Sequence, residues 1–326
     1  MEIDMSLIEY RFENCFEAVL ANMAHHVGRD YELMYINEWD FKVNFNDEIK
    51  HNYLGGALDS YRDKRGALCK YHGVCFIQHE CPDFNSFLAV LKRELKLSKP
   101  VTVRMDTFYC PWDKSYQKHH NPIHIFFIKG VDESKKALYC TDAFYMIDHI
   151  EISFEDFLKG YSGQYGVFEI NADISKEVNG MEILEEMTDR IIKNDIFSRM
   201  RLFTEKLSQT DSMASELYGY KEAWRTPLYY NFNHIEASRR RIPILFSYLI
   251  NKYNVRHLEQ AAEELKSLNE KWDGFNKLIL KMLVSKNLLP IRDSVVQKLT
   301  DITLTEETIF NSILENLKLK GVKNYE

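Results

Sequence analysis

The chain has 326 residues, 45% of them hydrophobic and 28% charged, a globular mixture with enough apolar content for about two domains. Its net charge of −7, with no long basic tract, argues against nucleic acid and against an anionic membrane surface as partners. The acidic opening MEIDMSLIEYRFEN has no signal-peptide pattern, and the apolar stretch IPILFSYLI is far short of a membrane span, so a cytoplasmic protein is expected.

In chain order, CFEAVLANMAHHV (15–27) carries apolar residues at helical spacing, and NSFLAVLKRELKL (85–97) predicts a second helix, ended before Pro100. VTVRMDTFY (101–109) alternates as a strand does. IHIFFIKG (123–130) and KALYCTDAFY (136–145) predict two more strands, joined by the short polar VDESKK as a hairpin. A short helix is expected within 152–163 and a strand at 166–170. Beyond about residue 175 Gly and Pro become sparse, and helices are expected near 180–208, 211–221, 231–252, 256–287, 291–299 and 304–318. The acidic residues of TLTEET (303–308) fit the start of that last helix. The change of texture places a boundary near NADISKEVNG (171–180). The fold class is therefore α+β, with an N-terminal domain over 1–172 and an all-α domain over 173–326.

All six cysteines fall in the first 140 residues, at 15, 69, 75, 81, 110 and 140, and in a long chain without a signal peptide they do not argue for disulfides. Cys15 begins the first helix. A helix N-terminus presents unpaired N–H groups and positive partial charge, which stabilise a thiolate and can receive an oxyanion. The alternative is a small buried hydrophobe. The hairpin supplies a second group. With the turn centred near Glu133–Ser134, paired indices sum to about 267, so His124 faces positions 142 to 144, where Asp142 stands. A slip of one residue would separate the two. His119 and His120 precede Pro122 and belong to a loop.

A cysteine at a helix start, a histidine opening a strand and an aspartate after the next strand resemble the order of papain-like cysteine enzymes. ENCFEAVLANMAHH, DTFYCPWDKSYQKHHNPIHIFFIKGVD and ALYCTDAFY resemble the N-terminal domain of the butirosin acyltransferase family, itself similar to bacteriocin-processing peptidases. The resemblance covers roughly residues 8–170 and is compatible with a helical second domain. It implies a helix bearing Cys15 packed on an antiparallel sheet bearing His124 and Asp142, as nucleophile, general base and acid, and orienter. It implies an amide-forming, ATP-independent acyltransferase of thiotemplated antibiotic biosynthesis, related to amide-forming enzymes of closthioamide-type pathways. The acyl group would come from an acyl or peptidyl carrier protein, held on phosphopantetheine, and pass to an amine; no other cofactor and no metal are expected. The alternative within the same triad is a thioesterase or cysteine peptidase. A third reading is a non-catalytic member whose helical domain binds a product or partner.

Lesser candidates follow. Asn14 is the candidate second oxyanion donor. Asp106 is the alternative orienter, or an ion-pair partner of Arg104 or a lysine. Phe108, Tyr109, Trp112 and Tyr116, with His120 at the entrance, are candidate walls of an acyl pocket, or plain packing. CKYHGVCFIQHEC (69–81) has the C-x-x-H-x-x-C spacing that could begin a zinc site, although GVCFI also fits a buried strand. His119, His120 and His124 lack the HExxH pattern of a catalytic metal site, and His25–His26 fits a surface pair. In EASRRRIP, Arg239, Arg240 and Arg241 form a solvated helix face or a docking patch for an acidic carrier protein. The helical domain would shape the substrate cleft, dock the carrier or form a homodimer.

Overall fold

A computed structural model describes residues 1–10, 12–45, 53–174 and 178–323. The chain forms two compact units, Met1–Met34 with Lys64–Lys176, and Tyr35–Asp63 with Glu177–Glu326. The expected N-terminal domain over 1–172 is therefore interrupted by 35–63, and the expected boundary stretch lies partly outside the described residues. The reason is apolar and polar pairing at long range. Trp39 donates to Glu306 at 3.0 Å and packs on Phe246 and Phe310, while Phe41 packs on Phe203 and Phe232, all within the second unit.

The first unit is α+β. Its helix α1 (Cys15–His26) has Ala18, Val19, Leu20, Met23 and Ala24 fully buried, each large side chain contributing about 1.5–3 kcal/mol by leaving water. Helix α2 (Lys64–His72) leads into strand β1 (Val74–Glu80), and α3 (Phe84–Lys96) into β2 (Val101–Met105). Strands β3 (His124–Asp132), β4 (Ala137–Asp142) and β5 (Ile147–Ser153) form a meander, followed by α4 (Phe154–Gly160) and β6 (Tyr161–Ile170). The six strands make one antiparallel sheet in the order β1-β6-β2-β3-β4-β5.

Alternation splits the sheet into two faces. Val101, Val103, Met105, Phe126 and Ile128 join Phe87 and Leu91 of α3 and Phe157 of α4 in one core cluster. Thr102, Arg104, Ile125 and Phe127 point the other way, where Phe16 of α1 packs on Phe76 of β1. Strand β2 ends four residues before the alternating pattern does, because the Asp106 side chain accepts from the Phe108 N–H and turns Thr107–Tyr109 into a 3₁₀ turn.

The second unit is mostly helical, with α5 (Gly180–Asn194), α6 (Ile196–Ser208), α7 (Pro227–Tyr253), α8 (Glu259–Val284) and α9 (Leu288–Lys323). The expected helix 180–208 is broken at Asp195, which takes a left-handed conformation (φ 48°). The expected breaks within 291–318 are absent, so TLTEET starts no helix. Thr303 and Thr305 instead return their hydroxyls to the carbonyls of Leu299 and Asp301, which suits mid-helix threonines. The unit also contains a small strand pair, Lys42–Val43 with Leu58–Asp59, so it is not all-α.

The proposed arginine patch is largely internal. Arg239 is 1% exposed and bonds Glu306 at 2.8 Å and the carbonyls of Glu38 and Asp40. Arg241 is 3% exposed and faces Glu38. Only Arg240 reaches solvent, paired with Glu236. Neither a solvated face nor a three-arginine docking patch survives this burial. Among the described residues no helix is long and apolar enough to cross a membrane.

Candidate active site

Cys15 occupies the first position of α1 because Asn14 stops the helix there. The Asn14 side chain accepts from the Glu17 N–H at 2.9 Å, and its amide nitrogen donates to the Glu17 carboxylate. Both ends of that amide are thus engaged at the cap, which favours a capping role for Asn14 over the oxyanion role expected of it. The N–H groups of the first turn have no preceding helical carbonyl to bond, so the positive end of α1 lies at Cys15.

His124 opens β3 and is 4% exposed; its Nε2 donates to Asp142 Oδ2 at 2.6 Å. The other ring nitrogen, Nδ1, is not engaged by Asp142, and Cys15 lies near enough to act on the charge of the ring. Burial alone would lower the pKa of His124. The hydrogen bond to Asp142, with its charge and the influence of Cys15, outweighs it and raises the imidazole to about 10.

The meeting of His124 and Asp142 depends on a bulge. Beyond the turn, paired indices on β3 and β4 sum to 269, as in Gly130↔Tyr139; past Lys129 they sum to 268, as in Phe127↔Thr141. Continuing the first register would have put Asp142 on the sheet face opposite to His124. The bulge restores the same face, one diagonal step away, within side-chain reach.

Asp142 is fully buried, and a buried carboxylate needs donors. It has four. Trp112 Nε1 donates to the same Oδ2 at 2.7 Å, and the N–H groups of Phe144 and Tyr145 reach Oδ1 at 3.1 and 3.3 Å. Trp112, expected as a pocket wall, therefore fixes the orienting carboxylate. Around the imidazole lie the rings of Phe126, Phe144 and Tyr145. The Tyr145 hydroxyl donates to Asp113 at 2.6 Å; burial and that contact push the phenol pKa up, so it stays protonated. Burial works against ionisation of Asp113, but the hydrogen bonds from Tyr145 and Ser115 outweigh it and hold the carboxyl below its usual range. Sequence reasoning passed over Asp113 and Tyr145. Their only signal is position, next to Trp112 and just after Asp142.

Asp106 orients a different histidine. It accepts from His120 Nδ1 at 2.7 Å and from the N–H groups of Phe108 and Asn121 at 3.1 and 2.7 Å. The His120 ring stacks on Phe108 with centroids 4.4 Å apart. Tyr109 packs on Phe108 and borders the core cluster, and Tyr116 is 36% exposed. Phe108, Tyr109 and His120 therefore belong together, while Trp112 is bonded to Asp142.

The other thiols lie in different environments. Burial pushes the Cys110 and Cys140 thiols well up, so they remain protonated in the core. Cys69 and Cys75 are joined as a disulfide, which corrects the expectation of free thiols and removes both ends of the C-x-x-H-x-x-C pattern. His72 instead accepts from the Leu33 N–H, and His79 stacks on Tyr165. Among the described residues no group of three or more His, Cys, Asp or Glu side chains is placed to hold a metal ion. His26 bonds the Ser98 carbonyl, and His25 lies 3.5 Å from Ser6.

No protein-family model and no curated protein sequence matches the chain. Among solved structures, the peptidase domain of Streptococcus ComA, a bifunctional ABC transporter involved in a quorum-sensing pathway, is similar over 52% of this chain and 100% of that domain. The identity is 16% and the TM-score 0.30.

Proposed function

We propose that the first unit is a papain-like cysteine enzyme that forms amides, moving an acyl group from a carrier-protein thioester through Cys15 to an amine. The observation that carries the reading is the buried His124–Asp142 hydrogen bond at 2.6 Å, with Cys15 at a helix N-terminus acting on the charge of the same imidazole. The Cys15 thiolate attacks the thioester carbonyl and forms a new C–S bond. The donor C–S bond breaks, and its thiolate takes the proton of His124, leaving acyl-Cys15 and a neutral imidazole. The Cys15 N–H stabilises the oxyanion of this step. An amine then attacks the acyl group, His124 accepts its proton, and amide release restores the thiolate and imidazolium. Thioester aminolysis runs downhill, so this cycle requires neither ATP nor a metal. The partners proposed are a phosphopantetheinylated carrier protein and an amine acceptor, in a thiotemplated natural-product pathway.

The test is intact-mass measurement after incubation with an acyl-pantetheine thioester. An acyl adduct that maps to Cys15 and is absent from Cys15→Ala and His124→Ala is expected; no adduct on the wild type sinks the reading. Adding amines to the acyl-enzyme then separates amide formation from release of free acid, the outcome that would make the protein a thioesterase or peptidase.

A further inference from the structure

Two loops meet beside the imidazole, and each gives the other a hydrogen-bond donor. Trp112 and Asp113 are neighbours in the loop between β2 and β3, while Asp142 ends β4 and Tyr145 lies in the turn that follows. Trp112 Nε1 donates to Asp142 Oδ2 at 2.7 Å, and the Tyr145 hydroxyl returns a donor to Asp113 Oδ2 at 2.6 Å. The Tyr145 N–H also reaches Asp142 Oδ1, so the bonds close a ring that runs from Asp142 through Trp112, Asp113 and Tyr145 and back. His124 is part of this arrangement, with Nε2 on Asp142 and its ring centroid 5.7 Å from that of Tyr145.

Asp113 is the fixed end of the ring. It is 6% exposed, its Oδ1 accepts from the Ser115 N–H at 2.6 Å, and its own N–H donates to the Cys110 carbonyl at 2.9 Å. Burial works against its ionised form, but the hydrogen bonds from Tyr145 and Ser115 and the charge of His124 outweigh it. A buried carboxylate of this kind holds the phenol by a charge-assisted bond, stronger than one between neutral groups. The phenol stays a donor, because burial and Asp113, with the charges of Asp142 and Cys15, all raise its pKa. With Trp112 alone the turn after β4 would pivot about one side-chain bond, and Asp142 would carry His124 with it. The Tyr145 hydroxyl ties the turn at a second point.

We infer that Asp113 is a positioning residue that, through the Tyr145 hydroxyl, holds Asp142 and His124 in register for the proton transfers of acyl exchange. The inference deepens the acyl-enzyme reading and rests on it for the effect on rate, whereas the hold on His124 can be followed without a substrate.

Acylation by pentanoyl-pantetheine is followed by intact mass over a range of donor concentrations, which gives a maximal rate and a half-saturating concentration. Tyr145→Phe keeps the ring beside His124 and removes only the hydroxyl. It should lower the maximal rate by about tenfold and leave half-saturation within about twofold, because the lost bond acts on the proton-carrying groups rather than on the donor. Asp113→Ala should lose at least as much, and adding Tyr145→Phe to it should cost nothing further, since both remove the same bond. If Asp113→Ala melts far below the wild type, Tyr145→Phe decides alone. The second measurement is the low-field proton NMR signal of the His124 Nε2–H bonded to Asp142, identified by its absence from His124→Ala; exchange with water should broaden it in Tyr145→Phe. A maximal rate within about twofold of the wild type in Tyr145→Phe, or a loss carried by half-saturation alone, overturns the inference while the acyl-enzyme reading stands. Losses that multiply in the double variant overturn it as well. If the wild type forms no adduct, the acyl-enzyme reading falls and the NMR signal decides: broadening in Tyr145→Phe upholds the positioning role, and a signal as sharp as that of the wild type overturns it.

Discussion

Two histidine–aspartate pairs stand near the same end of the sheet, and they differ in everything except their hydrogen bond. His124–Asp142 spans 2.6 Å with side chains 4% and 0% exposed; His120–Asp106 spans 2.7 Å with side chains 65% and 16% exposed. In the buried pair the charges are screened by little water, and a cysteine acts on the charge of the same imidazole. In the exposed pair water competes for the same groups, and the outer face of the ring meets solvent. A His–Asp contact is therefore weak evidence of a catalytic role by itself. What distinguishes the site is burial, a fixed carboxylate and a sulfur within reach.

The largest effect that would break the comparison is expected at Asp142. In Asp142→Asn the amide nitrogen must face either Trp112 and His124 or the two backbone N–H groups, and the imidazole loses its charge partner. Acylation of Cys15 should fall by about 10²–10⁴-fold. Asp106→Asn should change it by less than about threefold. Equal losses in the two variants would mean that both pairs serve the chemistry, or that neither does. Melting temperature measured beside the rate separates loss of function from loss of fold.

The pH dependence follows from the same burial. The folded His124 pKa of about 10 lies above the ordinary value near 6.5. A raised pKa adds stability that is fully present below the unfolded value and is lost as pH rises through the folded one. Stability from this group should thus be complete below about pH 6.5 and decline toward pH 10. Acylation by thioesters, which needs the His124 proton for the departing thiolate, should have its alkaline limb near the folded pKa. Trp112→Phe keeps Asp142 charged but removes one of its four donors. That limb should be retained, with stability lower by about 1–2 kcal/mol and the rate by about tenfold. An alkaline limb near 6.5 in the wild type would contradict the buried ion pair.

Much of the site was legible because its cues are local. The Asn14 cap, the helical spacing after Cys15 and the polar turn between two apolar strands all lie within a few residues of the groups they position. The bulge at Lys129 was not legible. It is a matter of backbone path, and only its effect on parity brings Asp142 to the face of His124. The second unit was harder for a different reason. Arg239 looks like a surface residue until Glu306 and the carbonyls of Glu38 and Asp40 arrive, 67 to 201 residues away in sequence. The segment 35–63 left the first unit for the same kind of cause, since Trp39 and Phe41 find their partners among distant helices.

The smallest expected effect tests the exposed pair most sharply. His120 stacks on Phe108 and holds Asp106, which in turn caps the turn after β2 and accepts from the Asn121 N–H. His120→Ala removes the ring but leaves Asp106 with its two backbone donors, so the turn should persist. Stability should change by about 0.5–1 kcal/mol at most, since the contact is exposed. Acylation of Cys15 by a small thioester should stay within about twofold. The second half-reaction is the more searching measurement, because His120 has one nitrogen directed away from Asp106 and could take a proton from an incoming ammonium ion. If aminolysis by a cationic amine fell tenfold while acylation held, the exposed pair would be a second base for the acceptor. Equal rates in both steps would leave it as a fastener of the loop between β2 and β3.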